Sequence, residues 1–346
     1  MRIEDEDPER PWSSEGVFRL APGVYRVPLP MPGEPLVAVN VYAIEDGDRF
    51  VMIDSGVSAA ESRDLLERGL GALGVGLGDV HRFLVTHVHY DHYSQALALR
   101  GEFGAQVGLG AHERPSLKVL MDGADVFESQ FRLLRRYAAD DVAEEFAAFV
   151  EANSTAKHPA IAEYPDVWFD DLATVRVGPR SLQVLHTPGH TRGHVVFTDQ
   201  ANGLLFAGDH VLPRITPSIG FEPAPPELPL ADYLRSLRLV RELPDQRLLP
   251  AHGPTADSVH QRIDELLDHH DHRLGDIFRA VASGSTTARA IAGRLTWTRR
   301  GRHFDELDAF NRMLAVLETG AHLDLLVVRG QLSASTVEGV ERYEAA

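Results

Sequence analysis

The stretch THVHYDHYS, Thr86–Ser94, sets His87, His89, Asp91 and His92 within a few positions of one another, directly after the apolar run FLV. Histidine is the commonest protein metal ligand, and carboxylates bind the same divalent ions. An apolar run that ends in such a cluster is a buried strand, and a tight turn into a following helix fans its side chains toward one point. A single histidine at a strand end is ordinarily a satisfied core or surface residue. Four ligand-type residues buried without a shared partner would carry a heavy cost in unsatisfied polar groups. A solvated polar loop is the alternative.

Outward from this stretch the chain alternates strands and helices. GVYRVPLP, PLVAVNVYAIED and RFVMIDSG are rich in Val, Ile and Tyr and are bounded by Gly, Pro and Asp, which is strand punctuation. SAAESRDLLERGLGALG has helical spacing, with Ser58 placed to cap it ahead of Glu61. SQALALRGEFG predicts a helix and AQVGLG a strand, so the class is α/β, built in layers. Residues 113–166 break the rhythm with a helical insertion. Strands resume with ATVRVG, SLQVLHTPGH and HVVFTD, a turn at Asn202-Gly203, and LLFAGDH. A proline-rich loop, Leu212–Leu230, a helix and the strand QRLLPAHG follow. The expected division is an acidic solvated tail at 1–16, a first domain at 17–255, and a C-terminal α+β domain at 256–346. In the last, Ile263, Leu266, Leu267, His270, Leu274, Ile277 and Val281 mark a long amphipathic helix. Further helical segments, a strand-like HLDLLVV, an RG turn and a polar tail predict three helices and a small hairpin.

Composition narrows the chemistry. The formal charge is −17, from 51 acidic and 34 basic residues, which disfavours a general nucleic-acid or anionic-membrane surface. There is no cysteine, so any metal must be held by His and carboxylate. No apolar run approaches the ~18 residues of a membrane span. The N-terminal MRIEDEDPERPW lacks the apolar core of a secretory signal, so a cytoplasmic protein is expected.

More ligand-type residues recur after apolar strands and beside glycines: His190, Asp209 and His252. With the first four they are enough for two divalent ions, which about 4 Å apart can share a carboxylate and a hydroxide. The motifs IDSG (Ile53–Gly56), THVHYDH, TPGHTRGH, AGDH and AHG resemble, in order and spacing, the metallo-β-lactamase-fold hydrolase superfamily over residues 17–255. The resemblance implies an αββα sandwich with metals at one edge. It assigns His87, His89 and His190 to the first ion, Asp91, His92 and His252 to the second, and Asp209 to both, with Asp54 orienting a ligand. Zinc is the expected ion, and iron and manganese accept the same ligands.

Within the superfamily, the missing Cys and the presence of Asp209 disfavour antibiotic hydrolysis, and His89 stands where flavo-diiron proteins place Glu. TPGHTRGH with GDH is more similar to the glyoxalase II, lactonase and thioesterase branch. The C-terminal part resembles the β-lactamase-associated winged-helix module. The chain departs from the family after Asp91-His92, where Tyr93 and Ser94 replace paired glycines, and this leaves the pocket shape open. The expected function is a dinuclear hydrolase using a metal-bridging hydroxide on a thioester, ester or lactone, with Asp91 and Asp209 as catalytic carboxylates. The alternatives are a metal-dependent phosphodiesterase or ribonuclease, and a non-catalytic winged-helix binding protein. The expected partner is a small-molecule substrate, without membrane or nucleic acid, and a homodimer is left open. His194, His210 and Arg214 are candidates for positions beside the ligands or substrate; a surface salt bridge competes for Arg214. The run Asp268–His272, DHHDH, is expected to be a solvated helix face with one core-facing His, His81 and His112 to be structural or surface residues, and the basic run Thr296–His303 a solvated turn.

Overall fold

The computed structural model describes residues 1–31, 36–153, 161–298 and 300–346. Eight strands form the first sheet in sequence order: Ile3–Asp5 (β1), Val17–Ala21 (β2), Val24–Pro30 (β3), Ala38–Asp46 (β4), Arg49–Ile53 (β5), Val80–Leu84 (β6), Gln106–Gly110 (β7) and Val167–Phe169 (β8). Five form the second: Thr174–Val177 (β9), Arg180–His186 (β10), Val195–Asp199 (β11), Leu204–Gly208 (β12) and Arg247–Pro250 (β13), with β13 at one edge and β9 at the other.

The sheets stack because their central strands, β4, β5, β11 and β12, are buried on both faces, which is why they read as nearly unbroken hydrophobic runs. In β4, Tyr42 and Ile44 enter the layer between the sheets, while Val39, Val41 and Ala43 face helices Ala60–Ala72 (α1) and Tyr90–Phe103 (α2). In β12, Leu204 and Phe206 enter the same inter-sheet layer, while Leu205 and Ala207 face the helix Pro229–Arg241 (α6) and the C-terminal helices. Helix, sheet, sheet, helix: this is the αββα sandwich that the resemblance implies. β5 pairs parallel with β6, and β12 with β13, so the carboxyl ends of these strands open on one edge, where α/β proteins place their sites.

The insertion carries helices Arg114–Met121 (α3), Glu128–Arg136 (α4) and Asp140–Asn153 (α5); residues 154–160 of the expected span lie outside the described residues. The C-terminal region has helices Val259–Ala282 (α7), Ala288–Ala292 (α8) and Ala309–Val328 (α9), a short pair Thr296–Trp297 and Arg302–His303, and a hairpin of Leu332–Val337 with Val340–Ala345. Ser258, Thr287 and Asp308 cap the three helices through their side-chain oxygens. Arg136 pairs with Asp324 and Glu341, and Arg312 with Glu145, so the C-terminal region is fastened to the insertion.

Three expectations change. HLDLLVV is not a strand but the last part of α9, where Leu323, Leu325 and Leu326 are buried together with Ala321 and His322; a short apolar run does not by itself distinguish the two periods. The polar tail supplies the hairpin, anchored by the buried Tyr343. Ser58 caps nothing through its side chain: α1 begins after Ala59, and the Ser58 amide donates to Ser94 Oγ. The acidic tail is not free, because β1 pairs parallel with β2, and Glu6 accepts from Arg26 Nε (2.8 Å), from Thr255 Oγ1 (2.7 Å) and from Arg247. Arg26 is buried, at 5% exposure. Glu6→Ala leaves it without its carboxylate, and a loss on the order of 3 kcal/mol is expected in urea unfolding.

Candidate metal centre

The seven sequence-predicted ligands arrive at the same sheet edge from five local structures. His87 and His89 lie on the turn between β6 and α2, Asp91 and His92 in the first turn of α2, and His190, Asp209 and His252 on the loops after β10, β12 and β13. All are buried except His89, which is half-buried.

Three imidazoles form the first group. His87 Nε2, His89 Nδ1 and His190 Nε2 stand 3.0–3.2 Å from one another. Their other nitrogens are committed. His89 Nε2 donates to the Phe221 carbonyl (2.8 Å) and His190 Nδ1 to the Ser218 carbonyl (2.7 Å). Thr86 Oγ1 donates to Asp54 (3.0 Å), so it accepts from His87 Nδ1 (3.1 Å). These partners assign the protons outward and turn three lone pairs inward. Burial holds all three histidines below the usual imidazole range, His190 at about 4, so they are neutral donors.

Asp91, His92 and His252 form the second group. Asp91 Oδ2 is 3.3 Å from both His92 Nε2 and His252 Nε2. His252 Nδ1 donates to the Ala38 carbonyl (2.8 Å), and His92 Nδ1 to Asp54 Oδ2 (2.9 Å). Burial alone would lower the pKa of His92 and His252, but Asp91 with Asp54, and Asp209 with Asp91, raise them. Burial would raise Asp91, but His92 and His252 hold it well below the usual carboxylate range.

Asp209 lies between the groups. Its Oδ2 is 3.5 Å from His190 Nε2, and its Oδ1 is 3.5 Å from His252 Nε2 and 3.8 Å from His92 Nε2. The buried atoms His92 Nε2, His252 Nε2 and Asp209 Oδ1 have no hydrogen-bond partner among the described residues. Unsatisfied lone pairs that converge on one point, from His and carboxylate, fit divalent cations of the zinc and iron class. One ligand atom from each member of His87/His89/His190, of His87/His92/Asp209 and of Asp91/His92/His252 lies within 4.8 Å of the others in its set.

Of the neighbouring candidates, Asp54 accepts from the Thr86 amide (2.8 Å) as well as from His92, in a left-handed conformation (φ 57°). His194 stacks beside His87 at 5.0 Å, and its Nε2 accepts from the Asp209 amide (3.2 Å). Gly208 allows this: a Cβ there would stand 2.7 Å from both His194 Nε2 and Thr86 Oγ1. His210 turns away onto Tyr233, ring to ring at 5.4 Å. Arg214 is exposed and makes no ion pair among the described residues. His81 pairs with Asp46 and His112 stacks on His186.

Sequence reading missed Thr86, and it missed a carboxylate pair behind the His190 loop. Glu113 accepts from Thr191 Oγ1, while Glu222 accepts from the Arg192 amide and Ser116 Oγ. Burial pushes Glu113 up to about 7, and burial together with the Glu113 charge raises Glu222. A carboxyl raised on folding contributes stability that is full below its ordinary value of 4.5 and is lost as pH rises through about 7. The melting temperature is therefore expected to fall between about pH 5 and about pH 8, and Glu113→Gln to remove about half of that fall in thermal melts.

Comparison with known proteins places this geometry in context. A family model described as "Metallo-beta-lactamase superfamily" matches residues 35–252. A probable metallo-hydrolase of Bacillus subtilis, YqjP, is 25% identical over 313 residues, 87% of this chain and 90% of that protein. An atrochrysone carboxyl ACP thioesterase of Aspergillus fumigatus is 24% identical over 79% of this chain and 69% of its own. The crystal structure of a beta-lactamase domain protein from Burkholderia ambifaria superposes with a TM-score of 0.81 at 29% identity, covering 98% of this chain and 96% of that one.

Proposed function

The chain belongs to the metallo-beta-lactamase superfamily, and from that premise we propose that it is a dinuclear metal-dependent hydrolase of thioesters, with esters and lactones as chemically adjacent substrates. The observation that carries the reading is Asp209, with one oxygen toward each imidazole group. Likeness to a thioesterase and the TPGHTRGH motif support the thioester.

His87, His89 and His190 would hold one ion, Asp91, His92 and His252 the other, and Asp209 both. When bound, such ions lower the pKa of water and polarise an acyl oxygen. The protein's own part is orientation. The Phe221 and Ser218 carbonyls fix the tautomers of His89 and His190, so both rings present an unprotonated nitrogen. Asp91, ionised at neutral pH and facing two imidazoles, is placed to accept a proton and return it to the leaving group.

Partly buried aromatic surface lies alongside: Phe221 is 6.2 Å from the His89 ring and 5.5 Å from Phe310 of α9. Such surface suits an apolar acyl group better than a phosphodiester.

The test is a hydrolysis panel on purified protein: acyl-glutathione and acyl-CoA thioesters, lactones and a phosphodiester, each with and without chelator. Chelator-sensitive thioester or lactone turnover is expected. Turnover of the phosphodiester alone would overturn the substrate class.

A further inference from the structure

A second histidine cluster lies outside the centre described above, where α7 packs on α9. The DHHDH run does present one core-facing residue, His270, which is fully buried, while Asp268, Asp271 and His272 are exposed. It does not stand alone. His269 beside it and Glu318 on α9 each bring a ligand atom within 4.8 Å of the others. His322, one turn beyond Glu318, is also fully buried.

The hydrogen bonds determine which nitrogen of His270 is bare. His322 Nδ1 donates to the Glu318 carbonyl (2.7 Å), so His322 Nε2 is an acceptor. It accepts a hydrogen bond from His270 Nδ1, 3.1 Å away. This leaves His270 Nε2 as an unprotonated lone pair, fully buried and without a hydrogen-bond partner among the described residues. The stacked His270–His322 pair, rings 5.2 Å apart, is therefore complete as a structural contact without using that nitrogen. A buried lone pair left over is unfavourable unless something occupies it. Burial keeps both imidazoles neutral, as a metal donor must be, and raises Glu318, a carboxylate short of positive charge. Arg273, the nearby cation, is engaged with the face of Trp297 (4.7 Å) and the Thr296 carbonyl (3.0 Å).

We propose that His269, His270 and Glu318 form a third metal site, which takes a divalent cation of the zinc class and clamps α7 to α9, with His322 as the positioning residue for His270. Two imidazoles and a carboxylate are a zinc donor set. Zinc bonds of about 2.1 Å place tetrahedral donors ~3.3 Å apart. The fixed member is His270; His269 and Glu318, both only partly buried, close onto it by side-chain rotation. The site shares no ligand with the dinuclear centre and does not rest on the hydrolase reading.

The experiment uses the full chain, stripped with chelator and titrated with Co2+, in the wild type and in the His269→Ala, Glu318→Gln and Asp209→Asn variants. Metal content and visible absorption count the equivalents, and thermal unfolding is followed at each step. The expected result is three equivalents in the wild type, with a rise in melting temperature on binding the α7–α9 ion. Both His269→Ala and Glu318→Gln should bind two and lose that rise, whereas Asp209→Asn should keep it. A metal count and melting-temperature rise in either His269→Ala or Glu318→Gln equal to those of the wild type would overturn the site. A failed dinuclear reading shows separately, as full retention of metal in Asp209→Asn.

Discussion

Replacing Asp209 by asparagine will cut kcat/KM for the cleaved substrate on the order of 10³-fold and weaken metal retention at the proposed dinuclear centre. The carboxylate offers Oδ2 to the group containing His190 and Oδ1 to the group containing His92 and His252. Asparagine keeps the shape but has only one acceptor oxygen. Its NH2 would point a partial positive charge at one of the two cation positions. Metal ions contribute several kcal/mol to transition-state stabilisation, and each 1.36 kcal/mol is tenfold in rate, which gives the expected factor. The loop itself should hold, because the Asp209 amide still donates to His194 Nε2. Metal analysis and steady-state kinetics check the prediction, with circular dichroism as the control for folding. Near-wild-type turnover with metal retained would mean that Asp209 does not bridge.

Asp54→Ala will weaken metal binding about 10–100-fold, the usual cost of losing a group that orients a ligand. Asp54 receives the Thr86 amide and hydroxyl and His92 Nδ1, so one carboxylate positions members of both groups: His92 directly and His87 through Thr86. Its left-handed backbone (φ 57°) adds a second effect. Aspartate and asparagine tolerate that region, while alanine there costs about 1 kcal/mol. Asp54→Asn should therefore keep the thermal stability better than Asp54→Ala while still loosening the metal. Competition with a chromophoric chelator measures the first effect, and thermal melts measure the second. Equal metal affinity in all three proteins would show that His92 and His87 hold their orientation without Asp54.

The candidate ligand residues, which the structure gathers at one edge, were legible because they stand at the ends of buried strands, where apolar runs give way to His, Asp and Gly. The residues that hold them were not. Thr86 is an unremarkable residue type, and its role depends on Asp54, 32 positions earlier in the chain. The carbonyls that set the tautomers belong to Ser218, Phe221 and Ala38, and backbone groups leave no trace in side-chain chemistry. The contact of Glu6 with Arg247 spans 241 positions, so an acidic N-terminus read locally could only look like a solvated tail. HLDLLVV failed for a different reason: its helical partners, the rest of α9, lie on the far side of a Thr-Gly pair that reads as an end.

The bond from His252 to the Ala38 carbonyl joins residues 214 positions apart, and Asn40 reinforces it by donating to the Pro250 and Gly253 carbonyls. During synthesis the first sheet leaves the ribosome long before His252, the last of the candidate ligands, which follows β13 of the second sheet. The nascent chain can therefore assemble the His87, His89 and His190 set well ahead of the second one. Closure of that set must wait for β13 to dock beside β12 and for its following loop to reach β4. Ions that bind only the closed arrangement would stabilise it by mass action, so bound metal would hold the β13 edge shut against β12 and β4.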